Sequence, residues 1–252
     1  IEWTPDNRIR LVADGFTGPL QAKAAPDGTL FVLDLGRGTL SRVSPTGEVT
    51  RIMGAGSDRV IRERMDPATF DLPLFTLSRD TYRNSVQLSI DPQGNPYLGI
   101  LREENTIDGG QAVTRRFLYI FRLENQASSL VLHWNGSSVL AGRNELPEFR
   151  ALSIDKDRLI FFSMDGLLFR LSPGLAYTAL VNGTFTPFNN SPIQQIVQTD
   201  DGNIFLQSSN SGRLFRLAFA ELRVDLNLFG TLRGPIARQG SSVIGYDIPE
   251  KR

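Results

Sequence analysis

The chain of 252 residues has no cysteine, which excludes disulfides, zinc-thiolate sites and thiol nucleophiles without fixing a compartment. It has one histidine, His133 in "LVLHWNG". A lone imidazole cannot build a His-based metal cluster, and its setting reads as a structural position in an edge strand. No charge of one sign prevails: Lys plus Arg and Asp plus Glu are 27 each, so no global field holds a polyanion or an anionic membrane surface. No nucleic-acid partner is predicted. Lysine occurs only at Lys23, Lys156 and Lys251, leaving 27 − 3 = 24 arginines, a bias that suits bidentate hydrogen bonding. No apolar run approaches the roughly 18 residues a membrane helix needs, so no membrane insertion is expected. Gly-x-Ser-x-Gly, Gly-x-x-x-x-Gly-Lys and a helix-opening Gly-x-Gly-x-x-Gly are missing as well, which removes the standard signals for a nucleophile elbow and for phosphate loops. The chain opens "IEWTPDNR" with neither Met nor a signal-like stretch, and is expected to be a segment of a longer or processed chain, extracytoplasmic or secreted.

What is present is a repeat. Near-copies of one phrase occur at "TLSRVSPTG", "YIFRLEN", "LLFRLSPG" and "RLFRLAF", carrying Arg42, Arg122, Arg170 and Arg216. Upstream of each lies an Asp-rich tight turn: "PDG" (26–28), "DPQG" (91–94), "DKD" (155–157) and "DDG" (200–202). From the last turn residue to the arginine the spacing is 14, 28, 13 and 14 residues, so the second unit carries a 14-residue insertion. Short apolar, β-prone runs punctuated by Gly, Pro, Asp and Asn fill each unit. They read as strand a before the Asp turn, strand b after it, strand c with the arginine, and a variable strand d. Four antiparallel strands repeated in tandem are the signature of propeller blades. The predicted fold is all-β: a single β-propeller domain over residues 1–252, with four clear blades and a composite closing blade drawn from "NRIRLVADG" and residues 231–252, in a five- or six-bladed ring.

The stretch "PDGTLFVLDLGRGTLSRVSPTGEV" (26–49) resembles an NHL repeat. It is also similar to units of the SMP-30/gluconolactonase and strictosidine-synthase-like propellers. Later units keep the Asp turn and the Arg strand but lose the Asp-x-Gly phrase after strand b. The resemblance implies a propeller, and in its hydrolase members a divalent cation held by acidic and amide side chains near the channel mouth. Residues of that kind here are Asp34, Glu103, Glu104, Asn105, Asp165 and Asn210, and calcium is the cation they would suit. They match no ligand set position by position, so no metal site, catalytic residue or obligatory cofactor is assigned.

Because strand faces in a blade stack are both apolar, Arg42, Arg122, Arg170 and Arg216 are read as structural residues entering an inter-blade layer. There a guanidinium needs a carbonyl or carboxylate partner. The Asp155/Asp157 and Asp200/Asp201 pairs read as turn chemistry, not as a calcium site. Two long insertions remain, 57–84 between blades and the b–c loop 102–116, of the length that usually marks function. They are expected to emerge side by side. Arg59, Arg62, Arg64, Arg102, Arg115 and Arg116 with Glu103, Glu104 and Asp108 form the predicted binding surface. The function expected is a non-enzymatic binding or scaffolding module that contacts a protein partner, a polar ligand or other domains of a larger chain. The alternative is the metal-dependent hydrolase.

Overall fold

The computed structural model describes residues 2–3, 9–34, 36–54, 64–67, 86–124, 127–135, 149–164, 167–171, 177–181, 193–199, 201, 203–208, 214–218, 223–225, 236–239 and 242–245. Strands β1 (Glu2–Trp3) and β2 (Ile9–Arg10) pair with each other. The first full sheet is β3 (Pro19–Ala24), β4 (Leu30–Asp34), β5 (Thr39–Val43) and β6 (Val49–Gly54), in that spatial order. The second contains β7 (Arg64–Met65), β8 (Val86–Ile90), β9 (Pro96–Asp108), β10 (Gln111–Glu124) and β11 (Ala127–Asn135), ordered β8-β9-β10-β11-β7. A third follows with β12 (Phe149–Ile154), β13 (Ile160–Met164), β14 (Leu167–Leu171) and β15 (Tyr177–Val181). The fourth is β16 (Ile193–Gln198), β17 (Ile204–Ser208), β18 (Leu214–Ala218) and β19 (Arg223–Asp225), and β20 (Ile236–Gln239) pairs with β21 (Ser242–Gly245). All pairings are antiparallel. Among the described residues there is no α-helix, and no helix long and apolar enough to cross a membrane.

The four repeat arginines fall on β5, β10, β14 and β18, the third strand of each sheet. The register repeats too. Arg42 lies opposite Phe31, Arg122 opposite Tyr97, Arg170 opposite Phe161 and Arg216 opposite Phe205. Bulges recur at equivalent places, after Pro19, Phe149 and Ile193 in the first strands, and each adds local twist. The Asp turns share one geometry. Residue 25, 91, 155 or 199 donates its N–H to the carbonyl four residues on, at 2.8–3.0 Å. In the first three, the residue at 28, 94 or 158 donates back to the first carbonyl and has positive φ. This is a type I turn followed by a left-handed residue, a common three-residue hairpin loop.

The chain divides into two compact units, Ile1–Gly142 and Arg143–Arg252. In the first, β3 packs against β8, and Phe31, Leu33, Leu40 and Met53 meet Val86, Leu88, Leu98, Ile100 and Phe121 in one buried cluster. Each such side chain contributes about 1.5–3 kcal/mol when fully buried. Gln21 locks the two inner strands: its Nε2 donates to Val86 O at 3.1 Å and Gln87 Oε1 at 3.0 Å, and its Oε1 accepts Leu88 N–H at 2.8 Å. In the second unit β12 packs against β16 and β16 against β20. There Phe161 and Leu168 meet Ile196, Leu206 and Phe215, and Ser163 Oγ donates to Ile193 O at 3.1 Å.

Candidate protein-contact site

The segment 102–116, predicted as a loop, is instead the outer part of a hairpin. β9 and β10 stay paired from Tyr97–Arg122 to Asp108–Gln111, closed by Gly109 and Gly110 with φ of 57° and 85°. A two-residue turn with both φ positive matches strand twist and demands glycine-like residues. A Cβ on either glycine would meet nothing within 4 Å, so the requirement there is conformational, not steric. The signal was in the sequence: Asp108-Gly109-Gly110 between "REENTI" and "QAVTRR".

Among the described residues, β8 begins with Val86 opposite Ile100 and β11 ends with Asn135 opposite Phe117, while β9 and β10 stay paired out to Asp108 and Gln111. The outer part of this hairpin, 102–108 with 111–117, is called the arm and is about 20 Å long at about 3.4 Å per residue. Glu103 lies opposite Arg116, Glu104 opposite Arg115, Arg102 opposite Phe117 and Asp108 opposite Gln111. Ile107, near the tip, is 82% exposed. At the arm's root the ring of His133 stacks on that of Tyr119 at 4.7 Å and lies 5.2 Å from Phe117. Tyr119 is buried and His133 exposed, so the histidine caps the aromatic row on a strand, as its sequence setting predicts.

The second insertion is not brought to the arm where it is described. Arg64 and Met65 add a short strand to the edge of β11, opposite Ser129 and Ser128. Arg64 thus shares a lateral row with Ser129, Arg122, Tyr97 and Ser89. That row lies six residues along β10 from Arg116, about 20 Å. Arg59 and Arg62 lie outside the described residues, as do 68–84.

The repeat arginines occupy the equivalent register position without equivalent burial. Arg42 is exposed, while Arg122, Arg170 and Arg216 are half-buried. Arg42 and Arg170 share a sheet face with Phe31 and Phe161, the aromatics opposite them, which pack into the inter-sheet clusters. Arg122 Nη1 pairs with Glu124 Oε1 on its own strand at 3.2 Å. Across each arginine the fourth strand supplies Thr50, Ser129, Thr178 or Asp225. Only the exposed Arg42 sets its stem over an aromatic with its head toward water, the amphipathic use of arginine; the Nε atoms of Arg122 and Arg216 are buried.

Asp34, a metal candidate by composition, is fully buried and already occupied. Its carboxylate accepts the N–H groups of Thr17 at 2.9 Å, Gly18 at 2.8 Å and Gly36 at 3.0 Å. This clasp ties the start of β3 to the turn after β4. The backbones come so close that a Cβ on Gly36 would collide with Thr17 and Gly18, which accounts for the Asp-x-Gly phrase. The turn aspartates are likewise used locally. Asp155 Oδ1 accepts Asp157 and Leu159 N–H, both at 2.8 Å, and burial raises its carboxyl above the ordinary value. The Thr29 N–H holds Asp27 below the ordinary value, with the Arg42 charge adding to the effect, and the Thr199 hydroxyl does the same for Asp201. Glu103, Glu104 and Asn105 sit on the arm, and Asp165 and Asn210 lie outside the described residues. Among the described residues no three His, Asp or Glu side chains group where a metal could sit.

No protein-family model and no curated relative matches the chain. Its fold is similar to that of a structural-genomics protein of unknown function from Bacteroides thetaiotaomicron, with a TM-score of 0.53 and 7% identity over 88% of this chain. The chain spans half the length of that protein. It is also similar to virginiamycin B lyase from Staphylococcus aureus, with a TM-score of 0.48, 12% identity, and coverage of 93% of this chain and 86% of the lyase. A catalytically inactive variant of that lyase with quinupristin gives a TM-score of 0.48 and 10% identity, covering 89% of this chain and 75% of that one. At such identities the likeness concerns the fold alone.

Proposed function

We propose that this chain is a β-propeller binding module whose projecting arm is the protein-contact element. Its four-stranded sheets act as blades of the NHL-like kind. β20 packs on β16 as β16 packs on β12, which supports its place as the next inner strand. Propellers host enzymes and scaffolds alike, so function is argued from the site. The observation that carries the reading is the arm itself. The hairpin continues to Asp108 opposite Gln111 and presents Ile107, 82% exposed, next to a tight Gly-Gly turn, an apolar contact set among charged residues. The rival hydrolase reading draws on Asp34, whose oxygens already accept three N–H groups.

The test is an arm-shortened variant lacking 103–108 and 111–116, so that Arg102 and Phe117 close on Gly109–Gly110. Six residues leave each strand, which preserves the alternation. Quantitative affinity enrichment from the source organism should lose the proteins retained by the parent, with the melting temperature nearly unchanged. Equal retention by both chains overturns the reading. Metal-dependent turnover of esters or lactones by both chains would favour the hydrolase.

A further inference from the structure

Each repeat arginine lies in a lateral row that begins on the first strand of its sheet. Phe31, opposite Arg42, has Lys23 on its other side; Tyr97 has Ser89, Phe161 has Ser153 and Phe205 has Val197. In three of the four sheets the first strand thus fills this position with a short side chain. Ser89 and Ser153 are buried there, and Val197 is half-buried. The first sheet alone sets a long cation in the row, in a chain that has three lysines in all. Where a repeat keeps one residue type for packing and departs from it once, the departure points to a role other than packing.

The surroundings of Lys23 differ from those of a surface lysine. Its side chain lies on the same face of β3 as that of Gln21, two residues earlier, and Gln21 reaches Val86, Gln87 and Leu88 on β8. Lys23 is therefore turned toward the second sheet, on the side where Phe31 and Ile90 join the buried cluster. It remains accessible to solvent, yet the protein atoms crowded around it lower its pKa, and no carboxylate offsets that effect. Access and crowding together describe an amine in a recess open to water. No hydrogen bond or ion pair engages its Nζ. Lys156, by contrast, is 70% exposed and pairs with Asp157 at 3.8 Å.

A lysine desolvated in apolar surroundings, with no acid to hold its proton, is the activated form of this nucleophile. The neutral amine carries the lone pair that attacks a carbonyl carbon. Addition gives a carbinolamine, both amine hydrogens then leave with the carbonyl oxygen as water, and a C=N bond remains. No oxidant or reductant takes part.

We propose that Lys23 is a nucleophilic amine whose Nζ condenses with small aldehydes or ketones to form a Schiff base. The site is on the first sheet and does not depend on the reading of the arm.

Reductive alkylation of the whole chain with acetaldehyde and cyanoborohydride near neutral pH, followed by peptide mass spectrometry, reads the three lysines in one experiment. Lys23 should be modified at least about tenfold faster than Lys156, because each unit by which a lysine pKa falls raises its neutral fraction about tenfold. The ratio should shrink as pH approaches the ordinary lysine value of about 10.4. It should vanish in denaturant, where the recess is lost. A Lys23 that reacts no faster than Lys156 in the folded chain overturns the proposal, as does a preference that persists unchanged in denaturant.

Discussion

Replacing Arg158 with glycine should stabilise the protein. Arg158 has φ of 62° and is the one described residue other than glycine with a positive φ. It occupies the turn position held by Gly28 (φ 83°) and Gly94 (φ 88°) in the earlier units, with the same hydrogen bond back to the first turn carbonyl, at 3.1 Å from Arg158 and 2.9–3.0 Å from the glycines. A left-handed conformation costs an L-residue roughly 1–2 kcal/mol, whereas glycine adopts it freely at an entropic cost of about 0.5–1 kcal/mol. The net gain from Arg158→Gly is about 0.5–1 kcal/mol. At about 2–4 °C per kcal/mol for a chain of this size, the melting temperature should rise by about 1–4 °C in a thermal scan. The reverse change supplies the control. A Cβ on Gly94 would approach Ala25 and Pro26 no closer than 3.6 Å, ordinary contact, so Gly94→Ala tests conformation alone and should cost about 1 kcal/mol. An Arg158→Gly variant that melts lower than the parent would refute the equivalence of these turns.

The other expectations are more local. Asp34→Ala leaves the Thr17, Gly18 and Gly36 N–H groups without their acceptor. At about 1–3 kcal/mol for each unsatisfied group, the loss should be at least about 3 kcal/mol in denaturant midpoint experiments, and a variant as stable as the parent contradicts the clasp. Gly54→Ala would place a Cβ 2.1 Å from Gly38 O at a φ of 92°, so it should express poorly or melt well below Gly94→Ala. Asp27 has a folded pKa below its unfolded value because the Thr29 N–H favours the carboxylate. Its contribution is present above the unfolded value of about 4 and disappears as pH falls through the folded one. The stability difference between parent and Asp27→Asn should therefore shrink under acid conditions, and a difference constant with pH would show that the N–H bond is absent.

The repeat was legible in the sequence because its cues are local. Arg42, Arg122, Arg170 and Arg216 lie on third strands since the Asp turn fixes where each hairpin begins and the spacing follows from strand length. The arm was not. Residues 102–116 are mostly polar and charged, so they lack the apolar alternation by which a half-buried strand is recognised. Only Asp108-Gly109-Gly110 announced the hairpin. The role of Asp34 was hidden for another reason. Its partners Thr17 and Gly18 are 17 and 16 residues away, and composition makes a buried carboxylate look like a cation ligand until its donors are seen. The placement of Arg64 at the far edge of the second sheet depends on a strand of two residues, too short to leave a pattern.

Amide hydrogen exchange across 102–116 tests the hairpin most directly. The account predicts that on each strand alternate amides, those turned to the partner strand of the pair, exchange slowly, while Gly109 and Gly110 at the turn exchange fast. Uniformly fast exchange across 102–108 and 111–116 would contradict the hairpin.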